Sequence, residues 1–175
     1  RLDDTFLDRL LARASDHLSL LAAPATLDRT CDFDEATFQA VIDVAQAGVP
    51  ALILDLPHIW TGWVKRTLLS ADEIVLTCEP DLANLRNAKN LLDILNQSRK
   101  NDAMPRLVLN RVGLPKRPEI KPEEFAKALE IEPIAVIAFD AQLFGTAANN
   151  GQMIAETDAK SAAAESFQKI AQIVT

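Results

Sequence analysis

Glycine is scarce in this chain, with five residues, at 48, 62, 113, 145 and 151, among 175. A phosphate-binding loop needs several glycines and a lysine opening a helix, and no stretch of this sequence supplies one. Only two cysteines occur, Cys31 and Cys78. They offer neither metal-ligand spacing nor a disulfide framework, and read as small buried hydrophobes in a reducing compartment. Tyrosine is absent and aromatics make up 5%, so the core must come from Leu, Ile, Val and Ala. No apolar run approaches the ~20 residues of a membrane span. Acidic residues outnumber basic ones by 25 to 18, for a net charge of −7 and a pI near 4.8. That excludes a protein whose whole surface binds nucleic acid, and no nucleic-acid partner is expected. His17 and His58 have no neighbours that suggest a Ser-His-Asp or Cys-His arrangement, and His58 reads as a solvent-facing loop residue.

What is present suits one globular domain over 1–175: 49% hydrophobic and 25% charged residues, enough for a full core. Ala51–Pro57 (Ala-Leu-Ile-Leu-Asp-Leu-Pro) is an apolar run that meets an acid and then a proline. Such a run reads as a buried parallel strand, with Asp55 at its carboxyl end, where ligands of open α/β sheets bind. A carboxylate there either holds Mg²⁺ beside a nucleotide phosphate or only caps the strand and its loop. Around it, helical spacing over Arg1–Asp16 predicts an amphipathic helix, and Leu18–Ala23 a short buried strand. Asp32 or Asp34 can cap a helix running to about Ala47, stopped by Gly48. Thr61 can cap a helix within His58–Ser70 that carries Trp60 and Trp63 on one face. Glu73–Glu79 reads as a strand, Asp81 as the cap of a long helix to about Ser98, and Arg106–Val112 as a strand. Gly113–Pro122 is a loop, Pro122 or Glu123 opens a helix to Leu129, and Ile134–Phe139 is a strand. A short helix over Ala141–Ala148, a turn at Asn149–Gly151 and a helix over Ala159–Val174 close the chain.

Strands alternate with helices, and the strands are apolar throughout. This is the signature of an α/β fold with a mostly parallel sheet covered by helices on both faces. Three strand ends then carry polar residues: Asp55, Asn110 and Asp140. An amide such as Asn110 can donate to and accept from a base edge, or it can simply stabilise a turn. Trp60 and Trp63 read as core or as an exposed partner-binding anchor. Lys116, Arg117 and Lys121 form a solvated loop or a surface for an acidic partner or lipid headgroup.

Taken in order, several stretches resemble the ParA/MinD family of deviant Walker ATPases. Leu18–Pro24 resembles the strand before the Walker B region, and Leu54-Asp55-Leu56-Pro57 the Walker B and switch II sequence. Ala71–Leu76 resembles the strand that follows, Asp81–Arg86 the next helix start, and Leu107–Arg111 the "vvNR" strand. Phe139-Asp140 with Ala147–Gly151 resembles the final loop and helix. The tryptophans after Asp-Leu-Pro point to the pilus-assembly branch, CpaE (also called TadZ). The resemblance implies ATP and Mg²⁺ as cofactors, with Asp55 acting on Mg²⁺, usually through water. It also implies that Asn110 contacts adenine, with the Phe139-Asp140 loop near the base. It further implies an ATP-dependent homodimer that places Flp/Tad pilus machinery, in the cytoplasm, at the cell pole or the inner-membrane surface. Two departures stand out. The P-loop segment is lacking from this sequence, which is expected to be an N-terminally truncated part of a larger protein. Ala138 stands where many members have proline. A rival reading keeps the fold without catalysis, as a scaffold that binds pilus components through Trp60, Trp63 and the basic loop. A third is an unrelated doubly wound domain for another small ligand.

Overall fold

A computed structural model describes residues 4–22 and 34–174. The chain divides into two compact units, Arg1–Ser70 and Ala71–Thr175.

In the first unit, helix α1 covers Asp4–Leu10, and strands β1 (Ala12–Arg13) and β2 (Ser19–Leu20) pair antiparallel. The helix expected through Asp16 stops early because the following residues close a hairpin instead. Ala14 N–H donates to Leu18 O (2.9 Å), and Arg13 pairs with Asp16 (3.0 Å). Of the buried strand expected at Leu18–Ala23, Ser19–Leu20 is a two-residue exposed ribbon, and Ala23 lies outside the described residues. Helix α2 (Glu35–Gly48) is capped by Asp34, whose side chain accepts from Thr37 N–H at 2.7 Å. Asp32 and Cys31 lie outside the described residues. Helix α3 (Gly62–Ser70) follows. Its Trp63 stacks on Phe38 of α2, ring centroids 4.1 Å apart.

Ala51–Pro57 is not the buried strand its composition predicts. It runs without sheet pairing, and Ile53 is 89% exposed. A strand needs a neighbour to take its backbone hydrogen bonds, and among the described residues none pairs with this segment. Trp60 also departs from expectation: it precedes α3 and so does not share a helical face with Trp63.

In the second unit the elements run β3 (Val75–Cys78), α4 (Leu82–Ser98), β4 (Arg106–Val112), α5 (Pro122–Leu129), β5 (Pro133–Ala138), α6 (Ala141–Asn150), α7 (Ile154–Thr157) and α8 (Ala162–Val174). The three strands form a parallel sheet in the order β3-β4-β5, each step made through a helix, as parallel pairing requires. Central β4 is apolar because both its faces are covered: Leu107, Val108 and Leu109 are 1%, 3% and 0% exposed. On one face, Cys78, Leu107 and Leu109 pack with Ala88 and Leu92 of α4 and Phe125 and Leu129 of α5. On the other, Val108, Ala135 and Ile137 meet Phe144 of α6 and Ala163 and Ile170 of α8. The apolar stripe of α8 is thus spent on the sheet.

Local chemistry sets the ends. Pro122 opens α5, and Gly151, left-handed at φ +64°, closes α6 by donating to Ala148 O and thereby extends that helix through the expected turn. The short α7 was not legible from periodicity, which four residues cannot display. Leu82 opens α4 and is 72% exposed, whereas Ala88, Leu92 and Leu95 of that helix are buried. Cys78 behaves as the small hydrophobe expected. Burial pushes its thiol up to about 11, with the Asp81 carboxylate adding to the shift.

Phe125 is fully buried between α4 and the sheet. Phe125→Ala should destabilise the protein by about 3–5 kcal/mol through a core cavity, read as a lower urea midpoint with little change in the slope.

Candidate functional site

The carboxyl ends of parallel strands point their backbone toward one edge, the place where open α/β sheets take ligands. In the second unit this edge is built from three segments. Glu79-Pro80-Asp81 leads from β3 into α4, Asn110-Arg111 lie just before Val112, which ends β4, and Phe139-Asp140 leads from β5 into α6. Asp81 and Asp140 are both helix caps: Asp81 accepts from Asn84 N–H (2.8 Å), Asp140 from Leu143 N–H (2.9 Å). The hydrogen bond from the Asn84 backbone, then that from its side chain, holds the Asp81 carboxyl below the usual range. Asp140 is exposed and engages the helix through one oxygen.

Asn110 sits in an irregularity of the sheet. Leu109 is opposite Val136, and the next regular pair is Val112 with Ala138. Two residues, Asn110 and Arg111, therefore face the single Ile137, which makes a β-bulge. Arg111 takes φ +56°, a left-handed conformation that costs a non-glycine residue about 1–3 kcal/mol and persists only where its surroundings hold it. The Asn110 side-chain oxygen accepts from Arg111 N–H at 2.9 Å. Its amide nitrogen has no partner among the described residues and is free to donate.

A network of charges surrounds the bulge. Glu79 accepts from Arg111 Nη1 at 2.7 Å and, through its other oxygen, from Arg117 Nη1. Arg117 Nη2 donates to the Arg111 carbonyl (3.2 Å) and to Glu119 (3.1 Å). Glu119 in turn accepts from the backbone N–H groups of Gly113 (2.8 Å) and Leu114 (3.0 Å). The Gly113 hydrogen bond leads in holding the Glu119 carboxyl low, with Leu114 and Arg117 adding to it against the cost of burial. The Glu79 hydrogen bond leads in raising the Arg117 guanidinium. The Arg111 guanidinium lies 6.0 Å from the Phe139 ring centroid, so one side chain touches the ends of β3 and β5 at once. Ile120 N–H donates to Pro80 O (2.8 Å) and pins the loop to the first segment.

The basic loop is therefore not a uniform cationic surface: Arg117 is committed to Glu79 and Glu119. Spacing gave no sign of Glu79, whose partners lie more than thirty residues on. The Arg117–Glu119 pair, two apart beside a glycine turn, was the only local clue. Of the three strand-end residues, Asn110 and Asp140 belong to this edge. Asp55 lies in the first unit, exposed, on a segment that is not a strand. Trp63 is partly buried against Phe38, whereas Trp60 is 50% exposed. His17 and His58 are exposed. Among the described residues no group of three or more His, Cys, Asp or Glu could hold a metal, and no helix is long and apolar enough to cross a membrane.

No protein-family model matches the chain. Over 163 residues it is 27% identical to the septum site-determining protein MinD of Bacillus subtilis (strain 168), covering 91% of this chain and 59% of that one. The structure is similar to that of a ParA family ATPase from Chlorobium tepidum TLS, with TM-score 0.77, 23% identity, and 91% of this chain and 65% of that one covered. It is also similar to the cell division ATPase MinD of Pyrococcus furiosus, with TM-score 0.67, 23% identity, and 81% and 58% covered. The chain thus spans less than two thirds of each. The structural matches establish the fold, an α/β fold with a parallel sheet flanked by helices like that of these ParA and MinD proteins, and the sequence is similar to that of MinD.

Because the Glu119 carboxyl is held below its unfolded value, its charge stabilises the fold above the ordinary glutamate range, and this is lost as pH falls through the folded value. Glu119→Gln should therefore melt lower than wild type at pH 7, and the gap should close on acidification below about pH 4. A gap that stayed constant with pH would mean the charge contributes nothing.

Proposed function

We propose that the chain is part of a ParA/MinD-type ATPase that binds Mg²⁺-ATP at the carboxyl edge of its parallel sheet. The observation that carries this is the Asn110–Arg111 bulge, which leaves a side-chain amide nitrogen with no partner among the described residues at the carboxyl edge of a sheet similar to that of a ParA family ATPase. Asn110 would donate to an acceptor on the adenine ring, with Phe139 and Asp140 beside it. The resemblance of Leu54–Pro57 to a Walker B sequence is the support for Asp55 as a magnesium residue, and a magnesium site needs only one or two carboxylates, its shell completed by water and phosphate oxygens. The bound ion would neutralise charge on the phosphates, and Asp55 would hold it in place, directly or through a water. No glycine-rich loop occurs in these 175 residues, so contacts to the phosphates would be made by protein outside this sequence.

In the finer reading, the whole protein is a CpaE/TadZ-type localisation and assembly factor for a Flp/Tad pilus. It would act as a homodimer on the cytoplasmic side of the inner membrane or at the cell pole. The resemblance of Leu54–Pro57 with Trp60 and Trp63 to that branch is its support. ATP would favour the dimer only by binding it more tightly than the monomer, and hydrolysis would release partners. One observation favours the scaffold alternative: Ile59 and Trp60 are 62% and 50% exposed side by side, an aromatic anchor of the kind interfaces use.

Calorimetry of the full-length protein with Mg²⁺-ATP tests the proposal. Wild type should bind. Asn110→Ala should bind about tenfold more weakly, the worth of one well-placed hydrogen bond. Asp55→Ala should bind with a weakened dependence on Mg²⁺. No binding at millimolar ATP would remove the nucleotide reading and leave the scaffold, to be pursued through Trp60→Ala and partner capture.

A further inference from the structure

Arg117 is placed unusually for a loop arginine in a stretch of lysines and prolines. One guanidinium nitrogen meets Glu79 and the other meets both Glu119 and the carbonyl of Arg111, while its Nε is buried with no partner among the described residues. The side chain is 22% exposed. A solvated loop residue does not leave a donor unpaired in the interior. The placement makes sense if bridging three groups at once is what this position requires.

Those three groups enclose the bulge. Arg111 is held from its carbonyl by Arg117 and from its side chain by Glu79, which Arg117 also holds. Arg111 N–H, in turn, is the group that fixes the Asn110 side-chain oxygen. Through Glu119, Arg117 also ties down Gly113 and Leu114, immediately beyond the strand. A left-handed non-glycine residue relaxes unless its surroundings over-determine it, and a bulge is a common device for re-aiming one side chain beside a site.

We propose that Arg117 is a positioning residue: by clamping Glu79, Glu119 and the Arg111 carbonyl it holds the bulge that presents the Asn110 amide to a purine base. The proposal rests on the reading of this edge as a nucleotide site. Lysine cannot replace the arginine, because a single ammonium lacks the planar fork that reaches these acceptors together.

The test uses the full-length protein, with Arg117→Lys, Asn110→Ala and the double variant, titrated with Mg²⁺-ATP and with Mg²⁺-tripolyphosphate, which has no base. Arg117→Lys should weaken ATP by about tenfold, as Asn110→Ala does. It should leave tripolyphosphate within about twofold, and the double variant should be no worse than Asn110→Ala alone, since both act through one contact. Without nucleotide, Arg117→Lys should speed hydrogen exchange at the Arg111 amide about tenfold. An unchanged Arg111 exchange rate overturns the proposal whatever the affinities do. Equal loss of both ligands, or additive losses in the double variant, also overturns it, because Arg117 would then serve the fold at large. If Asn110→Ala leaves ATP affinity untouched, the base-contact reading fails on its own, and the exchange rate still reports whether the clamp holds the bulge.

Discussion

The second unit depends on the burial of one strand from both sides. Leu107, Val108 and Leu109 in β4 are almost wholly removed from water, each worth about 1.5–3 kcal/mol when fully buried. Alternate residues face opposite layers, so α4 and α5 must cover one side and α6 and α8 the other. That double burial fixes the register and leaves the strand no freedom to slip. It also decides where function can begin. The apolar run ends at Leu109, and the next two residues leave the regular ladder as the chain reaches the edge.

What replaces burial at that edge is electrostatics. Two arginines and two glutamates from the β3 end, the β4 end and the loop share their hydrogen bonds around a strained turn. An exposed ion pair taken singly contributes little. Here the two pairs of Arg117 are partly buried and share one guanidinium, and two of the acceptors' partners are backbone groups, so the network acts on geometry more than on total stability. Asn110 inherits a defined side-chain direction from it. The same chemistry explains why a chain of net charge −7 carries arginines at this edge: they neutralise acids that shape the turn, and form no patch for a polyanion.

Much of this was legible in the residues. Uninterrupted apolar runs gave a parallel sheet, Asp34 and Asp81 announced helix starts, and β4 and α5 begin and end where composition places them. The failures share a cause. An apolar run shows that a segment prefers burial, but a strand is a paired object, and Ala51–Pro57 has no neighbour to pair with among the described residues. Leu18–Ala23 was apolar enough for a core strand, yet a hairpin closed by Ala14 and Leu18 uses Ser19–Leu20 on the surface. The clamp around Asn110 was illegible for a related reason: Glu79 and Arg117 carry no mark of each other in sequence, and only the sheet's parallel order brings the β3 and β4 ends together. The residue types at the candidate site could be named from sequence, but the bulge at Asn110 and Arg111 could not.

The central claim is that this edge of the sheet receives a nucleotide base. Two-dimensional amide NMR of the full-length protein, titrated with Mg²⁺-ATP, tests it most directly. The account predicts that the largest shifts fall on Asn110, its side-chain amide, Arg111 and Phe139, while Leu107–Leu109 in the buried strand stay still. Large shifts confined to residues away from these strand ends, with Asn110 and Phe139 unmoved at saturating ATP, would contradict it.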